Sequence, residues 1–189
     1  MKKLAAGILF LGLASLVQAA PLAVQPKPGQ WQISTQTFAE GKEVGAQLQL
    51  IKQQAAAFLK PAQRQKLDQY DPSQFNECLS PAKAKLLADP QKGLAVLGKA
   101  LGQCELQLDS QTSTGMAFSG YCEASKQGIE GQVKGQVDYQ SATQATGFVE
   151  GLGTLPPPVQ LLLIGRLQSQ IQVRNQFTAQ WQQTQCVAR

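Results

Sequence analysis

Two alternating segments that carry cysteines constrain this chain more than any other feature. Cys104-Glu105-Leu106-Gln107-Leu108 alternates apolar and polar residues, and so does Met116-Ala117-Phe118-Ser119-Gly120-Tyr121-Cys122. A period of two marks a strand with one buried face. A hairpin centred near Ser113 sets Cys104 opposite Cys122, Leu106 opposite Gly120 and Leu108 opposite Phe118, and one register satisfies all three pairs. Four cysteines allow three pairings. The hairpin register favours Cys104 with Cys122, which leaves Cys78 with Cys186. The rival reading of the cysteines is a metal site, but the chain has no C-x-x-C and no histidine. Neither a zinc site nor a redox-active disulfide is therefore expected, and no metal or cofactor.

The strand pattern continues to the C-terminus. Ile129, Gly131, Val133, Gly135, Val137 and Tyr139 alternate with Glu130, Gln132, Lys134, Gln136 and Asp138, and the two glycines suggest curvature or close packing. Residues 142–150 read as a weaker strand. Ile171, Val173, Phe177, Ala179 and Trp181 define a last one, with glutamines and Arg174 between them. Near the N-terminus, residues 30–38 read as a first strand after the punctuation of Pro26-Lys27-Pro28-Gly29. Between it and Cys104 the period changes. Leu48, Ile51, Ala55 and Phe58 recur at helical spacing, and Pro61 opens a second short helix. Ser80-Pro81 and Asp89-Pro90 each pair an N-cap residue with a proline at the first helical position. The expected fold is α+β and mainly β. It is a six-stranded antiparallel curved meander or partly closed barrel, with a helical insertion at about 45–103 between strands 1 and 2.

The first residues read as an export signal. Lys2 and Lys3 precede an apolar run from Leu4 to Leu16, and Val17-Gln18-Ala19 places the cut between Ala19 and Ala20. Residues 20–189 then form a single exported domain of about 170 residues, secreted to the periplasm, where disulfides persist. No stretch of the mature chain approaches the roughly 20 apolar residues of a membrane span. Removing Lys2 and Lys3 leaves 15 basic residues against 12 acidic, a net charge of +3. That lacks the dense basic stripe of a nucleic-acid reader. The absence of histidine removes Ser-His-Asp and Cys-His catalysis.

Paired carboxylates can carry out hydrolysis when they flank one bond. Glu130 and Asp138 lie about 26 Å apart along one strand, too far to flank a bond. Glu105 and Glu123 meet at the base of the hairpin, where they either hold a cation or are two solvated edge charges. Gly151-Leu152-Gly153-Thr154 lacks the third glycine of a dinucleotide site and reads as a loop. The apolar stretch from Leu155 to Leu167, entered through three prolines, reads as a short helix tucked into the core, a lid over an open barrel end, or a contact for a membrane or partner.

Several of these segments resemble one family. Pro28-Gly29-Gln30-Trp31-Gln32-Ile33-Ser34 is similar to the P-G-x-W-x-I/V-x opening of the bacterial "domain of unknown function 3617" family. Glu77-Cys78-Leu79-Ser80-Pro81 resembles its Cys-Leu-Thr/Ser-Pro step. Pro61-Ala62-Gln63-Arg64-Gln65 resembles a Pro-led, Gln/Arg-rich insert of many members. Cys104 opening a strand, Gly120-Tyr121-Cys122 closing its hairpin, the glycine-spaced strand and the terminal Cys186 follow in the family's order. The apolar stretch 155–167 departs from it. The resemblance implies an exported, mostly β envelope protein, and it implies no activity, ligand or catalytic residue.

The expected role is a non-catalytic binding module for a small hydrophobic or lipid-like ligand, with Tyr139, Phe177, Trp181, Leu162 and Ile164 as candidate contacts. The alternative is an envelope protein that contacts another protein or the membrane surface through the apolar stretch and the helical arm.

Overall fold

The computed structural model describes residues 20–68, 71, 73–123, 129–153, 160–161 and 164–186. The proposed export signal and Leu162 lie outside them. Twelve elements follow one another: β1 (Gly29–Ala39), β2 (Lys42–Glu43), α1 (Gly45–Ala57), α2 (Pro61–Asp68), β3 (Gln74–Leu79), α3 (Pro81–Leu87), α4 (Pro90–Ala100), β4 (Cys104–Gln111), β5 (Gly115–Cys122), β6 (Ile129–Ser141), β7 (Gln144–Gly153) and β8 (Ile171–Gln183). All strands join one antiparallel sheet in the order β2-β1-β8-β7-β6-β5-β4, and β3 also pairs with β1. The sheet is open, with β4 at one edge and β2 and β3 sharing the other.

Eight strands stand where six were expected, and both additions have a physical reason for being missed. β2 is two residues long, too short to carry a period. It folds back on β1 through Glu40-Gly41, whose φ angles of 51° and 77° are the left-handed pair of a tight hairpin turn. β3 places Phe75, Glu77 and Leu79 on one side, so a charge interrupts the apolar series, and only Leu79 is buried. It is an edge strand that lies inside the expected helical insertion. The insertion is consequently two helical pairs divided by a strand rather than one block. The second pair begins at the two proline steps. Ser80 Oγ accepts from the Lys83 amide at 3.2 Å to cap α3, and Asp89 Oδ1 accepts from the Lys92 amide at 3.3 Å to cap α4.

The hairpin register is the expected one: Cys104 opposite Cys122, Leu106 opposite Gly120 and Leu108 opposite Phe118. Both expected disulfides are present, Cys104–Cys122 and Cys78–Cys186. Such bonds belong to oxidising compartments outside the cytoplasm.

Direct partners across a sheet share a face, so the pairings sort the strands into an apolar side and a polar side. Met116, Phe118, Val133, Val137, Val149 and Ile171 lie on the apolar side. Leu94 of α4 packs there on Met116, Phe118, Cys122, Val133 and Val149. Val44 ahead of α1 packs with Ala39 and Ile171. The segment 20–28 crosses the same side as a strap. Its Leu22 amide donates to the Ala88 carbonyl at 2.9 Å, the Ala23 amide to Ser113 at 2.7 Å and the Lys27 amide to Ala142 at 2.8 Å. Two glycines let aromatic rings lie flat on neighbouring strands. Phe118 sits over its partner Gly135, and Phe177 over its partner Gly147. A methyl group at Gly135 would run into the Phe118 ring and the Phe148 carbonyl.

Gly135→Ala should therefore lower the urea unfolding midpoint, at a cost of about 1–3 kcal/mol. Gly153→Ala, whose added carbon meets only Val173 at 3.3 Å, should lose less. The two disulfides close loops with sequence separations of 108 and 18 residues. Replacing both Cys78 and Cys186 by alanine should cost about 4.7 kcal/mol, and replacing Cys104 and Cys122 about 3 kcal/mol, on the chain-entropy scale. Urea titrations followed by circular dichroism check the order.

Candidate functional site

The residues that the sequence nominated do not converge. Tyr139 is buried in a cluster with Leu22 and Ala145, and burial pushes its phenol up to about 12. Trp181 pairs across the sheet with Trp31, and both join a cluster with Leu79 and Ala84. The Trp181 indole donates to the Pro28 carbonyl at 3.0 Å, the Trp31 indole donates to the Lys27 carbonyl at 2.8 Å, and the Lys27 ammonium lies 3.7 Å from the centre of the Trp181 ring. These indoles fasten the N-terminal strap. Ile164 packs against Ala39, Val44 and Ile171 at another end of the sheet. Phe177 is half-buried over Gly147. Glu105 and Glu123 are both exposed, and no ion pair or hydrogen bond joins them. Among the described residues no group of three metal-ligating side chains forms, and no helix is long and apolar enough to cross a membrane.

The concave features lie on the opposite, polar side. An open groove of about 850 Å³ runs over β4 to β7, with Glu105, Gln107, Tyr121, Gln132, Lys134 and Glu150 along it. A second, of about 580 Å³, lies over β6, β7, β8 and β1, with Gln36, Asp138, Phe148, Arg174 and Gln176 among its walls.

A row of charges separates the two grooves. Lys134, Glu150 and Arg174 are direct partners on β6, β7 and β8. Lys134 Nζ lies 2.9 Å from Glu150 Oε1, and Arg174 Nη1 lies 2.7 Å from Glu150 Oε2. Only 10% of the Glu150 side chain is exposed. The Lys134 hydrogen bond, reinforced by Arg174, holds the carboxyl below its usual range despite the opposing effect of desolvation. The Arg174 guanidinium stacks on the Phe148 ring with 3.7 Å to its centre, and its buried Nε has no hydrogen-bond partner. The row is therefore anchored at its Arg174 end, while Lys134 reaches Glu150 from an exposed position. The side chains of Gln36, Gln107, Gln132 and Gln176 make no hydrogen bond to the described residues, so their amides offer donors and acceptors to whatever enters the grooves. Tyr121 presents an exposed ring at the rim.

Sequence reasoning missed this site because its members lie far apart in the chain. Lys134, Glu150 and Arg174 each occupied a polar position of an alternating strand, and only the register of three strands makes them a row. The available signal was that charge is scarce, at 15% of residues, yet three charges of alternating sign fall on the polar faces of consecutive strands.

A scan against protein-family models matches residues 26–186 to one described as "Protein of unknown function (DUF3617)". No curated protein and no solved structure matches the chain.

The depressed Glu150 ionisation has a definite sign. A carboxyl whose folded value lies below its unfolded value stabilises fully above the unfolded value, and that stability is lost as pH falls through the folded one. From about pH 4.5 downward, the protein should lose stability more steeply than Glu150→Gln. Urea midpoints measured in pH steps test this, and parallel acid slopes would contradict it.

Proposed function

Because the chain belongs to the family described as "Protein of unknown function (DUF3617)", a description that assigns no activity, we propose from geometry alone that it is a non-catalytic binding module. In this reading residues 1–19 export it to the periplasm, and the polar, grooved face of the sheet receives the ligand. The observation that carries the reading is the groove of about 850 Å³ over β4 to β7, walled by Lys134 and Glu150 of the charge row and by exposed glutamine amides. Small-ligand sites are concave and place a few polar groups to orient what they bind. Here the charges alternate in sign, so the complementary ligand is polar, rich in hydrogen-bonding groups and close to neutral.

A hydrophobic or lipid-like ligand would have to enter the apolar side. That side is packed by α4, by the N-terminal strap and by the residues leading into α1, which is why the polar side is preferred. Catalysis has little support in the grooves. The chain lacks histidine, and Glu150 is held ionised between two cations, which makes it a poor proton donor near neutral pH.

The test uses the oxidised protein purified without detergent. Native mass spectrometry should find no co-purified lipid. Titration with short peptides and neutral oligosaccharides should shift amide resonances of Tyr121, Gln132 and Glu150 while leaving Phe118 and Val149 unmoved. Shifts centred on Phe118 and Val149, or a lipid whose binding moves those two resonances, would overturn the assignment to the polar face.

A further inference from the structure

The hairpin of α1 and α2 has a tip whose chemistry the grooves do not use. Residues 44–67 carry Lys52, Lys60, Arg64 and Lys66 and no acidic residue. Among the described residues α1 is held to the sheet through its first half, where Leu48 and Ile51 pack against the cluster of Ala39, Val44 and Ile171 and Gln49 donates to Asp71 Oδ1 at 3.1 Å. Beyond Ile51 the helix runs on for two turns without a buried residue. At 1.5 Å per residue, Phe58 stands about 10 Å past that anchor. There it is 90% exposed, the most exposed of the large hydrophobic side chains described.

The tip is built rather than loose. The Phe58 amide donates to the Ala55 carbonyl at 3.1 Å and the Leu59 amide to Ala56 at 3.3 Å, so α1 ends in a tight turn. The Lys60 amide donates to Gln63 Oε1 at 3.2 Å at the start of α2. The Arg64 Nε donates to the Ala56 carbonyl at 3.0 Å, which lays its side chain across the hairpin. Lys60 and Arg64 are both exposed. Asp68 closes α2 at the base of the arm, and Asp71 just beyond it faces Lys52, Gln49 and Ser73 rather than the tip.

We propose that this tip docks on an anionic membrane surface. A ring held out in water beside two cations matches such a surface on both counts. Phe58 gains by entering the boundary between headgroups and acyl chains, and Lys60 and Arg64 reach lipid phosphates from the same side. A neutral surface or an acidic protein would satisfy only one of the two features. The contact is peripheral and reversible, because one ring and two charges fall well short of a stable anchor. It does not depend on the assignment of the grooves.

Co-sedimentation of the full protein with vesicles tests the proposal. Vesicles rich in phosphatidylglycerol should carry the protein down, pure phosphatidylcholine vesicles should not, and raising salt should release it. Lys60→Gln and Arg64→Gln should each weaken binding about fivefold, and Phe58→Ala about tenfold or more. These residues lie outside the core, so the urea midpoints of the variants should stay at the wild-type value. Phe58→Trp should show a blue-shifted emission when anionic vesicles are added. Absence of binding to anionic vesicles, or binding that none of the variants changes, would overturn the proposal. Loss of a dimer in Phe58→Ala, with no vesicle binding by the parent protein, would overturn it too and assign the tip to a second copy of the chain.

Discussion

The sheet depends on a register in which Phe118 lies opposite Gly135 and Phe177 opposite Gly147. Each ring needs the missing side chain of its partner, so neither pair survives a shift of one residue. Such a slip of β6 would also carry Lys134 and Gln136 to the apolar side and take Val133 and Val137 off it. The polar side enforces the same answer independently. Lys134, Glu150 and Arg174 meet only in this register, and burying the Glu150 carboxylate without its two partners would be costly. Core packing and surface charge thus select one alignment of β5 to β8. The site is positioned by the same constraint that builds the core.

The closure of the sheet is a different problem, because β1 must find β8 across most of the chain. β1 pairs with β8 over nearly its whole length, from Gln30 with Gln183 to Ala39 with Val173. Loop-closure entropy opposes such non-local pairing until contacts reward it. Three devices act at this junction. Trp31 and Trp181 stack their strands together and clamp the Lys27 and Pro28 carbonyls. β3 flanks the other side of β1. The Cys78–Cys186 disulfide joins β3 to the chain just beyond β8. The two disulfides therefore do unlike work: Cys104–Cys122 reinforces a hairpin that local alternation already specifies, whereas Cys78–Cys186 ties together β3 and the end of β8, which flank β1 and which alternation does not bring together.

This contrast explains what was legible in the sequence. The β4–β5 hairpin, its disulfide, the alternation of β6 and β8 and the proline-led starts of α3 and α4 all rest on neighbours within a few residues, and they read directly. β2 and β3 did not, because a two-residue strand has no period and Glu77 breaks the period of the other. Alternation placed Tyr139, Phe177 and Trp181 on one face, and the strand pairings put them on the apolar side. Alternation says which face a residue takes, however, and not what covers that face. The covering comes from Leu22, Val44 and Leu94, on segments whose packing no local pattern announces. The charge row stayed hidden for the complementary reason, since polar positions carry no information about their cross-strand partners until the register is known.

The three surfaces follow from how each element is covered. The apolar side is closed by the chain itself, so it serves stability. The polar side is open because none of the described residues packs across it, and its ion row keeps two grooves apart. Among the described residues the α1–α2 hairpin is held through the first half of α1, and Phe58 at its tip is exposed. A load on Phe58 passes to the sheet through Leu48 and Ile51 at the end where Ala39 and Ile171 lie. The row of Lys134, Glu150 and Arg174 crosses β6, β7 and β8 on the opposite side of the sheet, with Arg174 near the start of β8. Val173, the neighbour of Arg174 on β8, belongs to the cluster of Ala39 and Ile171, so the anchor of the arm and the charge row meet on one strand and are close enough to couple. A protein arranged this way can rest against a surface while its grooves remain open.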